Sequence, residues 1–148
     1  MEMKAVVISA AIATAVLSLL APAPAEAQWV TIARKSMGAI QNIRSENADV
    51  ATVLLEAPAD KVYAAALRTL NAKDGVKIKG KNDAERTIDI SGKRTTVKMK
   101  VSRVDDKVSM LTVTAAGTVR RSGDASPVVD GILRVCREMN VECRESAN

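Results

Sequence analysis

From Asp49 onward the spacing of apolar residues switches between about two positions and about 3.6, the signatures of strand and helix. Val50 to Glu56 is a run of apolar and β-branched residues and predicts a strand buried for most of its length. Pro58 keeps Ala57 out of helical geometry and presets its own φ for a first helical turn. Beyond it Val62, Tyr63, Ala66, Leu67 and Leu70 fall within roughly 140° of arc at about 100° per residue. Lys61 and Arg68 lie on the opposite side, so this helix is amphipathic.

Asp74-Gly75 then supplies a turn, and the period drops to two. Val76 and Ile78 oppose Lys77 and Lys79, while Ile88 and Ile90 oppose Thr87 and Asp89. Val97, Met99 and Val101 oppose Thr96, Lys98, Lys100 and Ser102; Leu111, Val113 and Ala115 oppose Met110, Thr112 and Thr114. Turn chemistry at Asn82-Asp83, Ser91-Gly92-Lys93 and Asp105-Asp106 separates these runs. The pattern predicts an antiparallel meander of three or four strands with one buried and one wet face. After a polar loop Ser126 caps a second helix with Pro127 at its first position. Its apolar stripe is Val128, Val129, Ile132, Leu133, Val135, Cys136 and Met139, and Asn140 is its stop.

Residues 28–48 carry a weaker signal. Ile32, Met37, Ile40 and Ile43 suit a short helix, but Met37 to Ile43 followed by the turn Ser45-Glu46-Asn47 favours a first strand in a hairpin with Val50 to Glu56. The expected fold is therefore α+β, an antiparallel sheet of four to six strands with two amphipathic helices on one face. Residues 49–143 form that domain, and 144–148 a C-terminal tail.

The first 27 residues change the setting of this fold. Lys4, the apolar run Ala5 to Leu20 and the small-residue site Ala25-Glu26-Ala27 make a signal peptide cleaved before Gln28. No cysteine follows the cleavage site to carry a lipid anchor, and the mature chain has no predicted transmembrane segment. The expected location is periplasmic. Loss of Lys4, Glu2 and Glu26 with the signal takes the 22 basic and 17 acidic residues to 21 and 15. A basic balance favours anionic partners. With one Trp, one Tyr and no Phe, the chain lacks the stacking platforms of a single-stranded nucleic-acid binder.

The element order, with APADKVYAAALRTL after a strand and SPVVDGILRVCREMNVEC near the end, resembles a family of small exported bacterial proteins known only as a domain of unknown function. The likeness spans about Asp49 to Cys143. Many relatives of that kind carry a lipid-anchoring cysteine that this chain lacks. The resemblance implies the β-α-β-β-β-α order and brings no catalytic or ligand residue with it.

The candidate chemistry is sparse. The chain has no His, so His-dependent triads and His-metal sites are excluded. No Gly-rich phosphate loop or nucleophile elbow is present, no metal site or cofactor is expected, and the protein reads as non-catalytic. Cys136 and Cys143 are an even pair in an exported chain, expected to form a disulfide. In one continuous helix they would lie about 10 Å apart along the axis, so a bridge requires the chain to turn back near Asn140. Lys77, Lys79, Lys98 and Lys100 share the wet side of their strands and, with Arg120 and Arg121 in the loop before the second helix, are the candidate anion-binding residues. The alternative for the lysines is a solvated, edge-protecting face. The expected function is a binding module for an unidentified protein or an anionic envelope surface. The alternative is a small carrier holding an apolar ligand between helices and sheet.

Overall fold

The computed structural model describes residues 36–91, 95–117 and 126–146. In chain order the elements are β1 (Ala39–Arg44), β2 (Ala48–Leu55), α1 (Ala59–Asn71), β3 (Lys77–Asn82), β4 (Thr87–Ser91), β5 (Thr96–Arg103), β6 (Ser109–Ala116), α2 (Pro127–Glu138) and β7 (Arg144–Glu145). The strands form one sheet in the order β3-β4-β5-β6-β2-β1-β7. Every neighbouring pair is antiparallel except β1 and β7, which run parallel. The class is α+β, but seven strands exceed the four to six expected.

The additional strand is β7, which falls in residues taken from sequence as a tail. Its two residues are charged and exposed, so no apolar alternation marks them. Only the backbone defines it: the Arg144 N–H donates to the Gly38 carbonyl and the Ser146 N–H to the Ile40 carbonyl, both at 2.9 Å.

Alternation sets which face is buried. In β2, Asp49, Ala51, Val53 and Leu55 are buried while Ala48, Val50, Thr52 and Leu54 are half-buried. The strand is therefore not buried along most of its length, because the helices cover one side only. Ala51 and Val113, Val53 and Leu111, and Ile88 and Met99 are cross-strand pairs on the covered side. Val62, Ala65 and Ala66 of α1 and Val128, Ile132 and Val135 of α2 complete the core. Leu67, expected in the stripe of α1, lies at its margin and is only partly buried.

The turns follow from side chains that bond the backbone locally. The Ser45 hydroxyl accepts from the Ala48 N–H at 3.1 Å and closes the β1–β2 hairpin. Asn82 Oδ1 accepts from the Ala84 and Glu85 N–H groups between β3 and β4. Asp105 Oδ1 accepts from Lys107 and Val108, each at 2.7 Å, between β5 and β6. At the end of α2, Asn140 takes φ +56°, the left-handed conformation that Asn tolerates better than most residues. The Asn140 N–H returns to the Arg137 carbonyl and the Val141 N–H to the Cys136 carbonyl. This is a Schellman ending, and it turns the chain back along β1.

Gly38 makes that return possible. It sits at φ +72°, and a Cβ there would stand 2.4 Å from the backbone oxygen of Glu142. Gly38→Ala is expected to cost about 2 kcal/mol or more, combining left-handed strain with a displaced tail. Gly131→Ala makes the opposite control: the added Cβ would meet Met99 Cε at an ordinary 3.6 Å, inside a helix. It should gain about 0.5–1 kcal/mol. Urea denaturation of the two variants tests both signs.

Candidate functional site

The face left open by the helices can be assembled residue by residue from the strand register. One row runs Asp89, Lys98, Thr114, Val50 and Ile43 across β4, β5, β6, β2 and β1. The next runs Thr87, Lys100, Thr112, Thr52 and Gln41. A third holds Ser102, Met110 and Leu54, and Lys77 stands beside Ser91 and Thr96. The register thus brings Lys77, Lys98 and Lys100 to one surface. Lys79 falls where the β3 register shifts between Ile78 and Gly80, as an extra residue opposite Asp89. Among the described residues Asp89 is the one carboxylate in the strands of this face, and its oxygen lies 3.6 Å from Lys98 Nζ. Arg120 and Arg121 lie outside the described residues.

The bulge at Lys79 has a consequence that strict alternation missed. Past it the strand is reversed in phase, so Lys81 pairs with Ile88 and joins the helix side. There Lys81 Nζ meets Asp83 at 3.1 Å, and the Tyr63 hydroxyl donates to the same carboxylate at 2.7 Å. Burial first, and then the bond to Asp83, push the Tyr63 hydroxyl from 10.0 up to about 12. The Tyr63 and Lys81 bonds hold the Asp83 carboxyl below its usual range. This cluster ties α1 to the β3–β4 hairpin.

A second feature absent from the sequence reading is Asp49. It occupies a core-side position of β2 and is 1% exposed. The Ser126 hydroxyl donates to one carboxyl oxygen at 2.6 Å and Asn42 Nδ2 to the other at 2.7 Å. Arg44 Nε stands 3.9 Å away. Ser126 Oγ also accepts from the Val129 N–H, so one hydroxyl caps α2 and anchors it to β2. A Ser beside an Asp raises the question of nucleophilic chemistry, but both are sealed from solvent and no imidazole exists to activate the hydroxyl. The pair holds structure together.

Cys136 and Cys143 are disulfide-bonded, with Cα atoms 6.1 Å apart. The Schellman turn at Asn140 delivers the second cysteine to the first. Beside the bridge lies a cleft of about 430 Å³ lined by Leu133, Val141 and Arg137 among others. A second cleft, of about 610 Å³, opens between the ends of α1 and α2 at Thr69, Lys73, Arg134 and Arg137. Both lie outside the helix–sheet interface, so neither is the enclosed apolar cavity that the carrier reading requires. Among the described residues no helix is long and apolar enough to cross a membrane, and no three carboxylate or cysteine side chains are grouped to hold a metal ion.

No protein-family model matches the chain, and no curated protein matches it. Solved structures do. A Streptomyces sp. R1128 aromatase/cyclase, ZhuI, is similar over 68% of this chain and 87% of its own, at 14% identity and a TM-score of 0.38. The di-domain aromatase/cyclase BexL, of the BE-7585A biosynthetic pathway, is similar over 66% of this chain and 43% of its own, at 16% identity and TM-score 0.39. A conserved Enterococcus faecalis protein of unknown function, EF2215, is similar over 75% of this chain and 94% of its own, at 6% identity and TM-score 0.38. At these scores the likenesses carry no argument about activity.

Two measurements follow from this geometry. Tyr63 is the only tyrosine, so phenolate absorbance follows it alone. It should titrate near pH 12, and Asp83→Asn should lower that midpoint. The linked stability has a definite sign: with the folded value raised, the Tyr63 contribution is full below pH 10 and is lost as pH rises through 12. The Asp83 contribution, its value depressed, is present above the usual carboxylate range and lost as pH falls. Separately, Cys136→Ala with Cys143→Ser should cost about 2–3 kcal/mol by the chain-entropy argument for so short a loop. An unchanged denaturation midpoint would show that the turn and β7 hold the tail unaided.

Proposed function

We propose that this is an exported, periplasmic, non-catalytic binding domain whose open sheet face holds an anionic component of the cell envelope. The observation that carries the reading is the register of β4 and β5: Lys98 and Lys100 stand two residues apart on a face whose strands hold, among the described residues, the one carboxylate Asp89, with Lys77 two strands away on β3. Cations on one face of a sheet sum their fields over its surface, and an anion there meets several ammonium groups at once. Lysine suits this task because its ammonium is a mobile point charge that needs no fixed partner geometry.

The non-catalytic part of the proposal is supported by how the carboxylates are used. Asp49 is buried between Ser126 and Asn42, while Asp60, Asp106, Asp130 and Glu138 pair with arginines at the surface of helices and turns. Glu138 and Asp130 do line the two clefts beside α2, but each is engaged there by an arginine, Arg68 and Arg134, as a surface ion pair.

Lys98→Gln with Lys100→Gln should weaken binding to soluble polyphosphate and to vesicles of acidic phospholipid, while stability moves by no more than about 0.5 kcal/mol. Wild-type binding should also fall between low salt and 0.15 M, where screening shortens to about 8 Å. Co-sedimentation and titration with polyphosphate at both salts measure it. Binding that is indifferent to the substitutions would leave the lysines as a solvated face.

A further inference from the structure

Resting on that reading, we infer that the anionic component is the surface of an acidic phospholipid bilayer, engaged by the whole open face and not by its lysines alone. The row of Lys98 begins in charge and ends in hydrocarbon, whereas that of Lys100 ends in Thr52 and Gln41. Lys98 continues through Thr114 to Val50 and Ile43, and Met110 pairs with Leu54 two rows away, beyond the row of Lys100 and Thr52. Ile43 is 72% exposed, and the cross-strand neighbours of Lys98 and Lys100 on β6 are threonines. Along the Lys98 row the face is therefore graded: lysine on β5, a hydroxyl on β6, apolar side chains on β2 and β1.

That gradient decides between kinds of anion. A soluble polyanion is satisfied by the lysines and gives no use to Ile43, Val50, Leu54 and Met110. A bilayer surface offers phosphates and acyl chains side by side, and the distance from β5 to β1 is three strand spacings, about 14 Å. Both halves of the face reach such a surface together. The lysines would lie at lipid phosphates, where each cation adds about fivefold to binding. Ile43, at the edge of the apolar half, would enter the headgroup boundary as the apolar side of an interfacial element does. The helices occupy the other side of the sheet and do not obstruct this approach. The charge of the face matches an acidic leaflet; it does not match a second copy of itself.

The test compares mature wild-type protein, Ile43→Ser and the Lys98→Gln, Lys100→Gln pair against three probes: phosphatidylglycerol-containing vesicles, pure phosphatidylcholine vesicles and soluble polyphosphate. Ile43→Ser should weaken binding to the acidic vesicles about tenfold, the effect of losing one inserted side chain, and leave polyphosphate binding unchanged. The lysine pair should weaken both, and phosphatidylcholine vesicles should bind none of the three proteins well. Leu54→Thr, at a half-buried site of the same face, gives a second reading if Ile43→Ser alters the melting curve. Acidic-vesicle binding untouched by Ile43→Ser and Leu54→Thr overturns the bilayer inference, and the lysine reading then survives if the lysine pair still loses binding. No binding by wild type to any anionic probe at low salt overturns both. A concentration-dependent dimer in sedimentation velocity that Ile43→Ser abolishes would assign the apolar half to a second copy and overturn the inference as well.

Discussion

The buried Asp49 carboxylate is the constraint around which three separate parts of the chain must agree. A carboxylate removed from water without partners is strongly unfavourable, so its donors are required wherever the strand places it in the core. Asn42 comes from β1 and Ser126 from the start of α2, 77 residues further along than Asp49. The hydroxyl that satisfies Asp49 also caps the helix, which fixes where α2 begins over the sheet. From that starting point the stripe of Val128, Ile132 and Val135 falls onto β2 and β6, and Cys136 arrives where the returning chain can reach it. One polar contact thus sets the position of α2 and of the returning chain that follows it.

Much of the fold was legible because its signals are local. The period-two runs of β4, β5 and β6, the 3.6-residue stripes of both helices, Pro58, Ser126 and Asn140 each act through geometry within a few residues. What was not legible depends on partners far away in sequence. Asp49 drew no reading beyond marking where the pattern begins, since nothing nearby announces that residues 42 and 126 will meet it. β7 has no side-chain pattern because only its backbone pairs. The bulge at Lys79 inverted Lys81 to the helix side, which simple alternation has no means of showing. For the candidate site, alternation correctly grouped Lys77, Lys98 and Lys100, yet it could not reveal strand order. The order alone places Val50 and Ile43 at the far end of the Lys98 row.

The two faces of the sheet carry different kinds of information. The covered face is determined by packing: its side chains are interlocked, and its few polar groups are satisfied internally. The open face contributes little to that packing, so its lysines, threonines and aliphatic residues are free to be chosen for a surface. Edge protection is also visible. β3 carries Lys77, Lys79 and Lys81 and a bulge, devices that discourage another strand from adding to the sheet.

The pairing of β7 with β1 determines how the domain can be held. Ser146 directly follows β7, the strand at one edge, while β3 lies at the opposite edge. Six strand spacings, about 29 Å, separate those edges. A label or solid support coupled at Ser146 is tethered at the β7 edge, on the side remote from Lys77 and Lys79. Immobilisation through Ser146 therefore leaves the lysine-bearing β3 edge directed away from the support.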